Sequence, residues 1–122
     1  VPRLRELYAD DVYFKDPFND VHGVEAVEAV FAHMFDTLDT PHFVVREAIV
    51  QRDHCVLIWD FLFRFRRHRY ELQTVHGVSY LRFAADGRVA LHRDYWDAAE
   101  ELYEKLPVLG SLMRWLKRRM RH

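Results

Sequence analysis

The sequence predicts an α+β fold made of one long amphipathic helix and an antiparallel sheet. Three observations predict it. Residues 24–38 set Val24, Val27, Phe31, Met34, Phe35 and Leu38 on the i, i+3, i+4, i+7 stripe of an amphipathic helix. From Pro41 the apolar period shortens to two, and β-branched or aromatic-rich runs occupy 42–51, 54–65, 70–83 and 88–96. The links between those runs, "RD", "RRHR" and "AADG", are hairpin-sized, so the strands are expected to pair antiparallel in chain order.

Taken from the N-terminus, "PRLRELYA" (2–9) places Leu4, Leu7 and Tyr8 on one face of a short helix, with Pro2 near its start. A first turn with nothing ahead of it suggests an upstream segment that the sequence does not include. "DDVYFKDP" predicts a strand from Val12 to Asp16, stopped by Pro17, and "FNDVHG" a loop. Glu25 and Glu28 suit the positive N-terminal turn of the long helix. In the run 54–65, Leu57, Trp59, Phe61 and Phe63 face one side, and Val56, Ile58 and Leu62 the other. A sheet apolar on both faces must be covered twice. The helix covers one face, and a second copy of the chain is the economical cover for the other, so a homodimer through the sheet is expected. His76-Gly77, in mid-strand, suggests a bulge that leaves the facing of His76 open. Past residue 97 a helix ends before Pro107, and 108–121 forms a second amphipathic helix. Leu109, Leu112, Met113, Leu116 and Met120 make its apolar stripe, among Arg114, Lys117, Arg118 and Arg119. It either docks on the domain with its basic face in water, or meets a membrane surface or anionic partner.

A chain of 122 residues is the size of one domain and can bury a core without staples. Half of the residues are hydrophobic, which excludes disorder, and a net charge of −1 argues against a protein built to hold nucleic acid. The charge is uneven: residues 110–122 carry five basic side chains and no acidic one, which leaves 13 basic against 19 acidic before them. "FRFRRHRY" interleaves aromatics with arginines as nucleic-acid strands do, but it spans a hairpin tip, where a solvated basic turn is expected. The one cysteine, Cys55, lies in the apolar run "HCVLIWDF" and reads as an inert core thiol of a cytoplasmic protein. No apolar run approaches the ~20 residues of a transmembrane segment, and charges interrupt the N-terminus from Arg3 onward, unlike a signal peptide.

The stretch richest in chemistry is "HRDYWD" (92–97). It has no Gly, no Pro and no helical spacing, and it continues "DGRVAL" as the far half of a strand. His92, Asp94 and Trp96 are spaced by two and so share one face of that strand. An acid–base pair beside an indole on one face is the lining of a pocket, or else a solvated strand end or a buried ion pair.

The order short helix, strand ending in Asp-Pro, long helix, four meandering strands resembles the NTF2-like cone. "LYADDVYFKDPFNDVHGVEAVEAVF" and "HGVSYLRFAADGRVALHRDYWD" carry the likeness, specifically to its SnoaL-like branch, whose relatives include polyketide cyclases, ketosteroid isomerases and limonene epoxide hydrolases. The resemblance implies a curved antiparallel sheet wrapped around the long helix, with a conical, mostly apolar pocket between them. It places Asp16 where ketosteroid isomerases keep a proton-shuttling carboxylate, and Ser79 where they carry an acid as oxyanion donor. Their tyrosine donor would sit on a first helix that the sequence does not contain. Asp94 matches the acid–base carboxylate of SnoaL-like cyclases, with His92 two residues before it. The expected site is therefore Asp16, His92 and Asp94 as catalytic groups, with Phe14, Phe18, Trp59, Phe61, Ser79 and Trp96 around a small hydrophobic substrate. The extra C-terminal helices lie outside the common pattern.

Desolvation in such a pocket raises a carboxyl pKa toward neutrality and makes it a useful general acid or base. The expected function is cofactor-independent proton transfer: isomerase, cyclase, dehydratase or epoxide hydrolase. A non-catalytic carrier of an apolar ligand and a protein-interaction module are the alternatives. Structural roles compete residue by residue. Asp94 could pair with Arg93, Arg88 or a neighbouring arginine, His92 could be a satisfied core histidine, and Asp16 could cap the loop before Pro17. His92-x-Asp94 offers at most two metal ligands and no further motif completes a set, so no metal is expected.

Overall fold

The computed structural model describes residues 4–66, 68–97 and 118–119, with side chains at 68–70 excepted. Its elements are α1 (Leu4–Leu7), β1 (Tyr8–Lys15), β2 (Asp20–His22), α2 (Val24–Thr37), β3 (Leu38–Gln51), β4 (His54–Phe65), β5 (His68–Phe83) and β6 (Val89–Tyr95). The strands form one six-stranded sheet in the order β2-β1-β6-β5-β4-β3.

β3 to β6 pair antiparallel in chain order, as their short links require. The expectation of a wholly antiparallel sheet fails at one seam. β1 runs parallel to β6, with Phe14 opposite His92 and Lys15 opposite Arg93. A parallel pair needs a crossover connection, and α2 with three hairpins supplies it. The predicted loop "FNDVHG" contains β2, which folds back on β1 with Val21 opposite Phe14. β1 itself begins at Tyr8 rather than Val12 and ends before Asp16, so α1 is shorter than predicted. Leu4 is buried, whereas Leu7 stands out in solvent instead of sharing its face.

α2 stops at Thr37. Leu38, placed on the helical stripe by the sequence, has extended backbone and opens β3, and its N–H still reaches Met34 O. The Thr37 hydroxyl donates to His33 O at 2.9 Å, closing that last turn. Val24 and Val27 are the buried anchors of the helix, while Phe35 is exposed. Register shifts in β3, after Asp39 and after Val45, bend the sheet around it. Gly87, at φ 87°, makes the β5–β6 turn that only glycine enters cheaply.

The core lies on the concave face in two parts. Tyr8, Val12, Phe14, Val24, Val27, Cys55, Leu81 and Val89 surround the base of α2. Leu38, Trp59, Phe63 and Val75 pack under its end, with Phe18, Met34, Phe61 and Trp96 alongside. Cys55, Leu57, Trp59, Phe61 and Phe63 belong to these clusters, and the alternate residues Val56, Ile58 and Leu62 do not. That division follows the two apolar parities of the sequence. On the outer face Asp60 accepts from Arg46 Nε at 2.7 Å and bonds His76, and these partners, Arg46 foremost, hold its carboxyl below the usual range. β5 keeps continuous register with β4 from Gln73 to Arg82, so the bulge expected at His76-Gly77 is absent and His76 faces outward. Gly77 has another reason to be glycine, given below. The expected helices past residue 97, including 108–121, lie outside the described residues, except that Arg118 and Arg119 are helical and exposed. No described helix is long and apolar enough to cross a membrane.

Candidate active site

Four neighbouring strands each supply a member of one polar chain. Trp59 on β4 donates its indole N–H to Ser79 Oγ at 2.8 Å. Ser79 on β5 donates to Asp94 Oδ1 at 2.5 Å. On β6, His92 Nε2 lies 2.6 Å from the same Oδ1, and His92 Nδ1 lies 2.7 Å from the Tyr8 hydroxyl on β1. The sheet register makes this possible, because Ser79 stands opposite Asp94 and Trp59 opposite Gly77.

The donor inventory fixes the direction of the chain. Indole can only donate, so Ser79 Oγ accepts from it and spends its single proton on Asp94. An ionised Asp94 only accepts, so His92 presents an N–H to it at Nε2, and in the singly protonated imidazole Nδ1 is then the acceptor for the Tyr8 O–H. The His92 and Asp94 side chains are only 12% and 14% exposed. This answers why the strand end is charged: the polar face of "HRDYWD" points into the cone. Burial, and then the nearby Asp94 charge, push the Tyr8 phenol above its ordinary value. Phe14 packs edge-on against His92 at 4.9 Å and against Phe31 of α2 at 5.7 Å, holding the imidazole between β1 and the helix.

The structural alternatives for Asp94 lose their partners. Arg93 projects from the opposite face and lies 4.9 Å over the Tyr95 ring. Arg88 pairs with Asp86 and Asp10. Asp94 Oδ2 has no hydrogen-bond partner among the described residues, and Asp94 lines an open cleft of about 490 Å³ with Lys15, Asp16, Pro17, Arg93, Tyr95, Trp96 and Asp97.

Asp16 lines the same cleft from the end of β1, next to Asp94, since Lys15 stands opposite Arg93 in the parallel pair. Its loop role is real: Oδ1 accepts from Phe18 N at 2.8 Å and Asn19 N at 2.6 Å, which shapes the turn between β1 and β2. Oδ2 receives only Asn19 Nδ2, at 3.1 Å. Burial pushes the Asp16 carboxyl above its ordinary value against these hydrogen bonds, and the Asp94 charge adds to the rise.

Of the expected wall residues, Trp96 lines the cleft and Phe18 packs on it at 5.3 Å. Phe61 stacks on Phe43 at 4.5 Å, deeper in the second core cluster. Trp59 is buried and turns its polar edge to Ser79. Tyr8 is the site residue that the sequence reading misses. Counting it to the helix hid it; β1 begins at residue 8, and although its register with β6 shifts between Tyr8 and Tyr13, Tyr8, Val12 and Phe14 lie in the same core cluster. Among the described residues, no three His, Cys, Asp or Glu side chains converge as metal ligands would.

The family model for the SnoaL-like domain matches residues 1–92. The chain belongs to the SnoaL-like family. Solved structures share its fold. A Catenulispora acidiphila protein with a ketosteroid isomerase-like fold, solved with trimethylamine, gives a TM-score of 0.74 at 18% identity, over 84% of this chain and 79% of that one. An NTF2-like protein of unknown function from Burkholderia pseudomallei gives 0.73 at 21%, over 84% and 82%. A putative SnoaL-like polyketide cyclase from Jannaschia sp. gives 0.67 at 21%, over 80% and 72%. No curated protein matches the sequence. At these identities the neighbours establish the NTF2-like architecture of this SnoaL-like domain and leave its chemistry to its own residues.

Proposed function

We propose that this SnoaL-like domain is a cofactor-independent acid–base enzyme acting on a small hydrophobic carbonyl or epoxide compound. One observation carries the reading: the chain Tyr8–His92–Asp94 ends on a carboxylate whose second oxygen has no hydrogen-bond partner among the described residues, and Asp94 lines a cleft together with Asp16. Asp94 Oδ2 takes a proton from the carbon next to the substrate carbonyl. The C–H electron pair moves toward the carbonyl oxygen, and Asp16, whose burial favours the protonated form, donates its proton to that oxygen. His92 keeps its Nε2 proton on Asp94 Oδ1 throughout and fixes the plane of the carboxylate. Trp96 and Phe18 bound the apolar side of the cleft. The volume of about 490 Å³ falls within the range of roughly 300–1,000 Å³ usual for small-molecule sites.

The test is deuterium wash-in at the α-carbon of a panel of aromatic and polycyclic ketones, guided by mass spectrometry of whatever co-purifies. Catalysed exchange that Asp94→Asn abolishes, with ligand binding kept, supports the reading. A co-purified ligand that never exchanges supports instead a non-catalytic carrier, a reading favoured by the full use of Asp16 Oδ1 as a turn cap.

A second copy is placed on the outer face of the sheet, where Val56, Ile58, Leu62 and Val78 are only half-buried and Ile49 is 51% exposed. Sedimentation at micromolar concentration is expected to give a dimer; a stable monomer overturns this. The reading places the protein in the cytoplasm, where the buried thiol of Cys55 stays reduced.

A further inference from the structure

Trp59 and Ser79 carry the residue types of a ligand-binding wall, yet each spends its polar atom on the protein. Trp59 is 5% exposed and Ser79 4%. The indole leaves β4, crosses β5 above Gly77 and delivers its N–H to Ser79 Oγ. A Cβ at Gly77 would stand 2.2 Å from Trp59 Cη2 and 2.6 Å from Cζ2, so only glycine lets the ring lie there. Ser79 is thereby prevented from rotating its hydroxyl proton toward β4, where the indole proton already sits. Its one proton goes to Asp94 Oδ1, the oxygen that His92 Nε2 also holds.

We infer that Trp59 and Ser79 are positioning residues that saturate Oδ1 of Asp94 from the β5 side, so that Oδ2 alone exchanges protons with the substrate, and that Gly77 is the opening that admits the indole. The role rests on the reading of Asp94 as the proton acceptor. Two donors on one carboxylate oxygen, from Ser79 and from His92, fix the plane of the carboxylate; rotating it breaks both bonds at once. A preorganised plane is what makes proton abstraction fast, because the acceptor lone pair is aimed before the substrate arrives. Binding of the substrate, by contrast, does not involve either side chain's polar atom. Loss of either residue therefore acts on turnover and not on affinity.

The test needs no substrate. In protein labelled with nitrogen-15 and carbon-13 the Trp59 indole N–H resonance, assigned by its loss in Trp59→Phe, is followed from about pH 3 to 8 beside the Asp94 carboxyl carbon. Protonating Asp94 changes what Ser79 donates to, and Ser79 passes the change to the indole. In wild type the two resonances are expected to move with one common midpoint. Ser79→Ala should remove the indole step while Asp94 still titrates, and Ser79→Thr should restore it. If Ser79→Ala does not fold, Asp94→Asn gives the same comparison, since the step must vanish there too. An indole resonance flat in wild type while Asp94 titrates, or a step that survives Ser79→Ala, overturns the assignment. Once a substrate is found, Ser79→Ala should lower kcat about tenfold at unchanged KM, the size of one charge-assisted hydrogen bond. An intact indole step beside turnover indifferent to Asp94→Asn would leave the hydrogen-bond chain standing and overturn the acid–base function alone.

Discussion

Replacing Gly77 by alanine presses one methyl group against the Trp59 indole. The new Cβ would lie 2.2 Å from Cη2, 2.6 Å from Cζ2 and 2.7 Å from Cζ3, whereas ordinary contact begins near 3.4 Å. The ring edge must therefore retreat by about 1.2 Å, and the ring is already packed edge-to-face with Phe43, centroids 5.1 Å apart. A shift of that size carries Nε1 away from Ser79 Oγ, now at 2.8 Å. Overpacking costs about 1–3 kcal/mol. An unsatisfied buried indole N–H adds about 1–2 kcal/mol, and the stiffer unfolded chain returns about 0.5–1 kcal/mol. The net loss is about 1–4.5 kcal/mol, or about 4–18 °C in Tm for a domain of this size. Urea and thermal unfolding followed by circular dichroism measure it. The decisive control is the double-mutant cycle with Trp59→Leu, in which the clash has no partner and Gly77→Ala should be neutral or stabilising. A loss below about 0.5 kcal/mol for Gly77→Ala alone, or an equal loss in the Trp59→Leu background, refutes the account.

Two further predictions concern the ends of the site. Asp16 has a folded pKa raised above its unfolded value, so folding is favoured most when the carboxyl is protonated, and that contribution is lost as pH rises from 3.8 through the folded value. Asp16→Asn should flatten this part of the curve of urea midpoint against pH; a difference from wild type that does not vary with pH refutes it. Tyr8→Phe keeps the buried ring and removes the donor to His92 Nδ1, at a cost of about 1–2 kcal/mol. It should also shift the His92 Nδ1 nitrogen-15 resonance, which loses its donor, while Nε2 keeps its proton on Asp94, and an unchanged Nδ1 resonance would show that Tyr8 does not donate to it.

The helix stripe and the two apolar parities of the 54–65 run were legible because periodicity records which side of an element is buried. His92, Asp94 and Trp96 were legible for the same reason: a spacing of two in a strand is already a statement about space. The position of Tyr8 was not. It sits at a helix-to-strand junction, ahead of a register shift between Tyr8 and Tyr13 that breaks the alternation leading to Val12 and Phe14, and only the pairing with Val89 assigns it to the strand. The parallel seam is equally silent in the sequence, since it depends on where α2 returns the chain and on no local turn. Gly77 misleads in an instructive way. A mid-strand glycine signals either a bulge or a close approach, and the approaching group, Trp59, is 18 positions away on another strand. The arginines near Asp94 misled by proximity: Arg93 is adjacent in sequence but on the other face of the strand.

The β1/β6 seam also sets when the site comes into being. β3, β4 and β5 are joined by tight turns and can pair as soon as they are made, whereas Tyr8 and His92 are 84 positions apart. Closing so long a loop is entropically expensive and is rewarded only once β6 has docked on β5. During synthesis, a chain exposed only as far as Phe83 owns most of the sheet but lacks both β6 and the base of its polar chain. On the proposed acid–base reading, the site is complete only once β6 has docked on both its neighbours, so a half-made chain lacks the paired groups that the reading assigns to chemistry.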